Sequence, residues 1–274
     1  MTIDYVHGYT PRENTRLIDQ ATTLTDLLHG DTVYPPGSRV LEAGCGVGAQ
    51  TVTLVINSPE AQFTSIDISE TSLNEARRRL AETGSDNVCF QCADIFRLPF
   101  LPESFDHVFV CFLLEHLAQP EEALRRLKAL IRPGGTITVI EGDHGSAYFH
   151  PDDPDAHRAI RCQVELQARA GGNSMIGRQL YPLITGAGFD RVNVSPRMVY
   201  VDSSRPSLVE GFTRNTFTAM IEGVRDPALE LGLVDEATWT RGIAALYRTA
   251  EADGTFCYTF FKGVGVRSGA AASS

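Results

Sequence analysis

Basic residues are scarce in this chain: 24 Lys and Arg face 34 Asp and Glu, a formal charge of −10 over 274 residues. The balance excludes the broad cationic surface that sequence-independent grip on phosphate backbones requires, so nucleic acid is not an expected partner. No apolar run approaches the roughly 18–20 residues that cross a bilayer. The chain also does not open on the basic, apolar and small-residue succession of a secretory leader. No membrane partner and a cytoplasmic location are the expectation. Cysteine is sparse as well, with six residues scattered as Cys45, Cys89, Cys92, Cys111, Cys162 and Cys257. Several fall in strand-like segments, where a free thiol packs as a small hydrophobe. Cys89 and Cys92 make one C-x-x-C, but no second pair follows at zinc spacing, and alternation along a strand sends the two side chains to opposite faces. No metal is expected.

What the chain does have is 43% hydrophobic residues, enough for one large domain with a smaller appended piece. From Ser38 to about Val139, short β-rich runs alternate with helical patterns: RVLEAG, a helix from Ala49, FTSIDIS, LNEARRRLAETG, NVCFQCAD, HVFVCF, EEALRRLKALI and TITVIEG. Strands alternating with helices read as βαβ units wound into a parallel sheet with helices on both faces, a doubly wound α/β fold. Ser69 or Thr71 can cap one helix and Gly84 can end it, while Pro133-Gly134-Gly135 stops another before a strand. Past Gly142 comes an inserted, largely helical region. RVNVSPRMVYVD and TFCYTFFKGVGV then read as late strands forming a hairpin or an antiparallel edge pair.

The first strand runs into VLEAGCGVGAQT, where Gly44, Gly46 and Gly48 open a helix. Glycine lets the backbone approach a ligand closely and tolerates positive φ. The spacing departs from the G-x-G-x-x-G of dinucleotide sites and favours a ligand without a pyrophosphate. Asp67 ends the second strand roughly 20 residues further on, where an acid in this topology reaches ribose hydroxyls. Asp94 ends the third strand at the same edge of the sheet, where it can accept from an exocyclic amino group while Ile68 and Ile95 sandwich a purine. Taken singly, each acid also fits a helix cap or a loop charge.

VLEAGCGVGAQT, SIDIS, CADIFRLPFLPESFDHVFVCFLLEHL and LIRPGGTITVIE resemble, in order and spacing, the successive motifs of class I S-adenosylmethionine-dependent methyltransferases. The resemblance implies a Rossmann-like, mostly parallel seven-stranded sheet with a helical substrate cap, S-adenosylmethionine as cofactor, and methyl transfer as the activity. It implies that Glu42 lies near the methionine amino group, that Gly44, Gly46 and Gly48 form the cofactor loop, that Asp67 binds the ribose, and that Asp94 with Ile95 meets the adenine. On this basis residues 1–37 form an N-terminal helical lid and 38–146 the cofactor-binding core. Residues 147–253 form the cap insertion with a late strand, 254–267 the C-terminal strand and 268–274 a disordered tail.

Methyl transfer from a sulfonium is an in-line displacement that needs alignment, exclusion of water, and removal of a proton where the nucleophile carries one. The carboxyl ends of HVFVCF and TITVIEG supply Leu114, Glu115 and His116, then Glu141, Asp143 and His144. EGDHGS is the densest titratable cluster, and Glu141, Asp143 and His144 are the catalytic candidates, because a buried histidine beside carboxylates can serve as general base. The same residues fit a solvated loop in which Asp143 caps a turn and His144 bonds to backbone. Tyr5, His7 and Tyr9 fit a lid whose aromatic faces attract a sulfonium, or a surface segment leading into a helix. His116 fits a substrate contact, or a residue that only orients the cofactor side of the helix that follows; Arg178, Tyr181 and Asn215, with Gln179, Phe212 and Phe217, fit a substrate cavity lined from the inserted helices, or core. The apolar faces of Leu208 to Val224 fit a homodimer contact or core.

The stretch from Tyr5 to Thr51, with VIEGDHGS and GTFCYTFFK, is similar to a bacterial and archaeal subgroup of these enzymes, near natural-product enzymes that methylate C3 of an indole in tryptophan-derived metabolites. The reading is therefore a small-molecule methyltransferase. Its alternatives are N- or O-methylation of another small metabolite, methylation of protein or RNA, and a cofactor-binding module without turnover. Nicotinamide-dependent reduction fails on the glycine spacing.

Overall fold

Residues 11–269 are described in the computed structural model of the protein, without the side chains of residues 11–15 and 18. Tyr5, His7 and Tyr9 lie outside the described residues. In chain order the elements are α1 (Pro11–His29), β1 (Arg39–Ala43), α2 (Ala49–Asn57), β2 (Gln62–Asp67), α3 (Glu70–Ala81), β3 (Val88–Cys92), β4 (Phe105–Cys111), α4 (Pro120–Leu130), β5 (Ile131–His150), α5 (Pro154–Arg169), α6 (Leu180–Gly186) and β6 (Asp190–Val201). After these, α7 (Pro206–Leu208) continues as a π-helix (Val209–Thr218) into α8 (Ala219–Glu222), followed by α9 (Arg225–Glu230), α10 (Glu236–Arg248) and β7 (Thr255–Val266). Short 3-10 turns cover Leu114–His116 and Ile176–Gln179.

Three helices, α3, α5 and α10, begin where a side chain supplies an acceptor for their first N–H groups. Ser69 Oγ accepts from Ser72 N at 3.2 Å to start α3, whose Leu73, Ala76 and Leu80 fall on one buried face. The polar stretch before α5 does the same through Asp153, whose Oδ1 accepts from Asp155 N and Ala156 N, with Pro154 in the first turn.

The strands form one sheet in the order β3-β2-β1-β4-β5-β7-β6. Pairings from β3 to β5 are parallel, and β7 runs antiparallel to both its neighbours. The late strands do pair, with β7 inside the sheet and β6 at its edge. Successive strand residues enter opposite cores. Val40, Phe63, Phe109 and Ile140 pack with Phe212, Phe217 and Trp239 of the later helices, and Leu41, Ile66, Val110 and Val139 pack with α4 and α6. A sheet covered on both sides explains the near-continuous apolar runs of the central strands. β5 loses register with β7 after Asp143 and regains it at Tyr148, so His144 to Ala147 leave the ladder just past the point where the parallel pairing with β4 ends. The six cysteines are free, and no helix among the described residues is long and apolar enough to cross a membrane.

His29, the last residue of α1, is fully buried. Its Nε2 meets Gln50 Oε1 at 2.6 Å and its ring lies 5.7 Å from that of Phe109. Burial holds its pKa down at about 4, despite the hydrogen bond to Gln50. The folded state therefore resists protonation. Its contribution is complete above the ordinary value of 6.5 and is lost as pH falls toward 4, about 3 kcal/mol in all. Chemical denaturation at a series of pH values should show that loss in the parent chain and a flatter profile in His29→Gln; equal slopes would contradict the burial account.

Candidate functional site

The sheet grows in one direction from β1 to β2 and β3 and in the other from β4, so a crevice opens at the carboxyl ends of β1 and β4. Gly44 and Cys45 turn out of β1 with their N–H groups both on Ile66 O, and Gly44, Gly46 and Gly48 adopt φ of +77°, +52° and +75°. A Cβ at Gly44 would strike the Leu113 side chain at 2.8 Å, and one at Gly48 would strike Ala76 of α3 at 2.9 Å. At Gly46 it would meet nothing within 4 Å. Two of the glycines thus serve packing, while the middle one leaves the backbone open.

Carboxylates hold this crevice in shape. Asp67 Oδ2 accepts from Gly46 N and Oδ1 from Ser69 N, both at 2.9 Å, and burial raises its pKa. Glu42 is buried beneath the loop, with Oε2 accepting from Thr51 Oγ1 at 2.7 Å and Ser65 Oγ at 2.6 Å. Burial pushes its pKa up to about 7, against the lowering effect of those hydroxyls. After β3, Asp94 Oδ1 accepts from Phe96 N at 2.8 Å. Ile68 is 65% exposed, and Ile95 is half-buried against the core.

A second group of acids stands at the ends of β4 and β5. Phe112 turns the chain out of β4 at φ 54°, a left-handed conformation that is unusual for so large a residue. The turn aims Leu113 N and Leu114 N at Glu141 Oε1, at 3.0 and 2.7 Å. Burial raises the Glu141 pKa well above the usual carboxylate range, with the nearby Glu115 charge adding to it. Asp143 is buried and takes Arg178 in a two-bonded clamp, Nε to Oδ2 at 2.6 Å and a terminal guanidinium nitrogen to Oδ1 at 2.7 Å. His144, 6% exposed, sets Nδ1 2.7 Å from the Tyr258 hydroxyl and its ring beside that of Phe217. Burial lowers the His144 pKa and raises that of Tyr258. Glu141 Oε2, His144 Nε2 and Ser174 Oγ are buried with no hydrogen-bond partner among the described residues.

The structure brings Glu141, Asp143 and His144 to one strand end, with Glu115 and His116 on the adjacent turn. Arg178 reaches them only through Asp143. Asn215 and Tyr181 do not join them: Asn215 faces solvent because the π-helix turns Phe212, Thr213, Thr216 and Phe217 inward, and Tyr181 is 57% exposed on α6. Sequence reasoning passed over Gln167, whose Nε2 donates to Glu115 O at 3.0 Å, and Tyr258. The signal for Tyr258 was a single hydroxyl in the inward row of Phe256, Tyr258 and Phe260. No metal-binding cluster occurs among the described residues. An open groove of about 650 Å³ beside Arg158 and Asp235, and a smaller one of about 230 Å³ beside Tyr34 and Lys262, contain none of these strand-end residues.

A profile of the methyltransferase-domain family matches residues 40–135. The chain is 33% identical over 190 residues to an uncharacterized 37.1 kDa protein of transposon TN4556 from Streptomyces fradiae, covering 69% of this chain and 54% of that protein. It therefore spans only about half the length of that relative. It is 32% identical over 228 residues to 27-O-demethylrifamycin SV methyltransferase from Amycolatopsis mediterranei (strain S699), covering 82% of this chain and 77% of that enzyme. The chain belongs to the class I S-adenosylmethionine-dependent methyltransferases. Phosphoethanolamine N-methyltransferase 2 from Haemonchus contortus, solved with S-adenosylhomocysteine, shares the fold at a TM-score of 0.56 and 16% identity, over 92% of this chain and 53% of that one.

The cofactor of these methyltransferases suits what the crevice offers. Backbone open at Gly46, a buried carboxylate at Glu42 and acids at the next two strand ends match a ligand with an ammonium, a ribose and an adenine. The two kinds of glycine should separate on substitution. Gly48→Ala should cost about 2 kcal/mol or more, from left-handed strain plus the Ala76 contact. Gly46→Ala should cost about 1 kcal/mol from strain alone. Urea denaturation measures both, and equal losses would contradict the open placement of Gly46.

Proposed function

We propose that this methyltransferase acts on a small molecule, whose reacting end lies against the β5 cluster beneath the later helices. The observation that carries the reading is the group of buried atoms without a partner among the described residues, Glu141 Oε2, His144 Nε2 and Ser174 Oγ. Buried polar groups are nearly always satisfied, and those left over at the carboxyl end of a parallel sheet await a ligand. Phe217 and Tyr258 beside His144 supply flat apolar contact.

S-adenosylmethionine, when bound, supplies a methyl group on a sulfonium. The chain's part is to bind, align and keep water out. Glu42 would face the ammonium, the Gly44–Gly48 backbone the methionine portion, Asp67 the ribose hydroxyls, and Asp94 with Ile68 and Ile95 the adenine. Glu141 steadies the Leu113–Leu114 turn. Asp143, through Arg178, ties the end of β5 to the turn before α6.

Within the small-molecule class, the likeness of the N-terminal and VIEGDHGS segments points to C3 of an indole in a tryptophan-derived natural product. A second reading, a hydroxyl oxygen, is favoured by the relative named for O-methylation of a rifamycin, which aligns over 82% of this chain. Mass spectrometry of the purified chain with S-adenosylmethionine against indoles, tryptophan cyclodipeptides, phenols and amines decides between them. A methyl gained on indole carbon supports the first and one on phenol oxygen the second. Cofactor binding without product from any class would turn the reading toward a module without turnover.

The elevated Glu42 pKa gives the cofactor placement its own test. An ammonium beside Glu42 favours the carboxylate, so binding of S-adenosylhomocysteine at pH 6 should release about one proton. Calorimetry in buffers of different ionisation enthalpy reads that release. It should vanish in Glu42→Gln, and binding without proton release in the parent chain would remove Glu42 from the site.

A further inference from the structure

We infer that His144 meets the substrate as a hydrogen-bond donor through Nε2–H, that Tyr258 is the positioning residue fixing this tautomer, and that the substrate presents an oxygen acceptor, a carbonyl or an ionised hydroxyl, beside the atom that takes the methyl. The inference rests on the proposed placement of the substrate against the β5 cluster and gives that substrate a chemical feature.

The tautomer follows from the bonding of Tyr258. The phenol is 2% exposed and lies among Phe212, Phe217, Phe256 and Phe260. A buried O–H needs an acceptor; the Asp143 backbone N–H can only donate to the phenol oxygen, and the acceptor within reach among the described residues is His144 Nδ1 at 2.7 Å. If Nδ1 carried the proton and donated to the phenol oxygen, the phenol hydrogen would be stranded in an aromatic pocket. If the phenol donates to Nδ1, Tyr258 is satisfied and the neutral imidazole carries its proton on Nε2. Gly142 makes room for this pairing, because a Cβ there would lie 2.5 Å from the Tyr258 oxygen.

Among the described residues Nε2–H then has no partner, within a side chain more than nine-tenths buried. The charged and titratable groups around it are Glu115 and His116 from the 3-10 turn, Arg16 from α1, Asp143 from β5 and Tyr258 from β7. None of them makes a hydrogen bond to Nε2. Glu115 is engaged by Gln167 Nε2 at 3.3 Å, and Asp143 by Arg178. The donor is therefore free for a ligand atom that accepts. In the transfer, an electron pair of the substrate atom that takes the methyl forms the bond to the methyl carbon, the carbon–sulfur bond breaks with its pair going to sulfur, and any proton the substrate sheds goes to water. His144 neither takes nor gives up a proton; it holds the substrate oxygen.

Nitrogen-15 NMR of the full chain with ring-labelled histidine, in the presence of S-adenosylhomocysteine at pH 7.5, tests the tautomer directly. The resonance pair that disappears in His144→Gln should show Nε2 protonated and Nδ1 bare, and Tyr258→Phe should abolish that fixed state. A proton on Nδ1 in the parent chain overturns the inference, whatever the activity. For whichever panel compound is methylated, His144→Gln, which keeps a donor, should retain turnover within about tenfold, while His144→Glu should lose about 100-fold or more. The reverse order would make His144 a base and overturn the inference while leaving methyl transfer standing. Absence of transfer to every compound would remove the proposed function instead and leave the NMR result to decide the tautomer.

Discussion

Side-chain carboxylates that accept backbone N–H groups at the carboxyl ends of the parallel strands are the interaction on which this site depends. Where a strand leaves the ladder, its amides and those of the next turn need acceptors, and here acids supply them. Asp67 takes Gly46 N and Ser69 N, Asp94 takes Phe96 N, Glu141 takes Leu113 N and Leu114 N, and Asp143 takes Gly145 N. Each bond ties a loop to a strand end in one conformation. The crevice between β1 and β4 is shaped before any ligand enters, which lowers the ordering cost of binding.

The same arrangement sorts the acids by task. Asp67 and Asp94 lie half-buried at the mouth of the crevice and keep lone pairs to spare, whereas Glu141 is fully buried, with one oxygen braced and the other unpartnered. Glu42 lies deeper than the loop it supports and is held by two hydroxyls, not by amides, so its proton is the more readily exchanged for a cationic neighbour. Asp143 works outward, through the exposed Arg178, and fastens the turn before α6 to the end of β5. Loop bracing thus falls to acids that the sequence scatters over four separate strand ends.

Much of this was legible in the sequence because it is local. The apolar runs, the glycine turn and the acids at strand ends all follow from short-range spacing, and the parallel core appears where the alternation of strands and helices placed it. What was not legible depends on long-range pairing. His144 and Tyr258 are 114 residues apart and meet only because β7 is inserted antiparallel beside β5. Gln167 reaches Glu115 across 52 residues. Asn215 faces outward because Phe212, Thr213, Thr216 and Phe217, on the opposite side of the same stretch, are the residues buried in the core.

A crystal structure of the chain with S-adenosylhomocysteine tests the central claim most directly, because the whole account hangs on where the ligand lies relative to the braced strand ends. The account predicts adenine between Ile68 and Ile95, ribose hydroxyls on Asp67, the ammonium toward Glu42, and the sulfur directed at the β5 end that carries His144. Density for the ligand elsewhere, or an adenine away from the ends of β2 and β3, would contradict it.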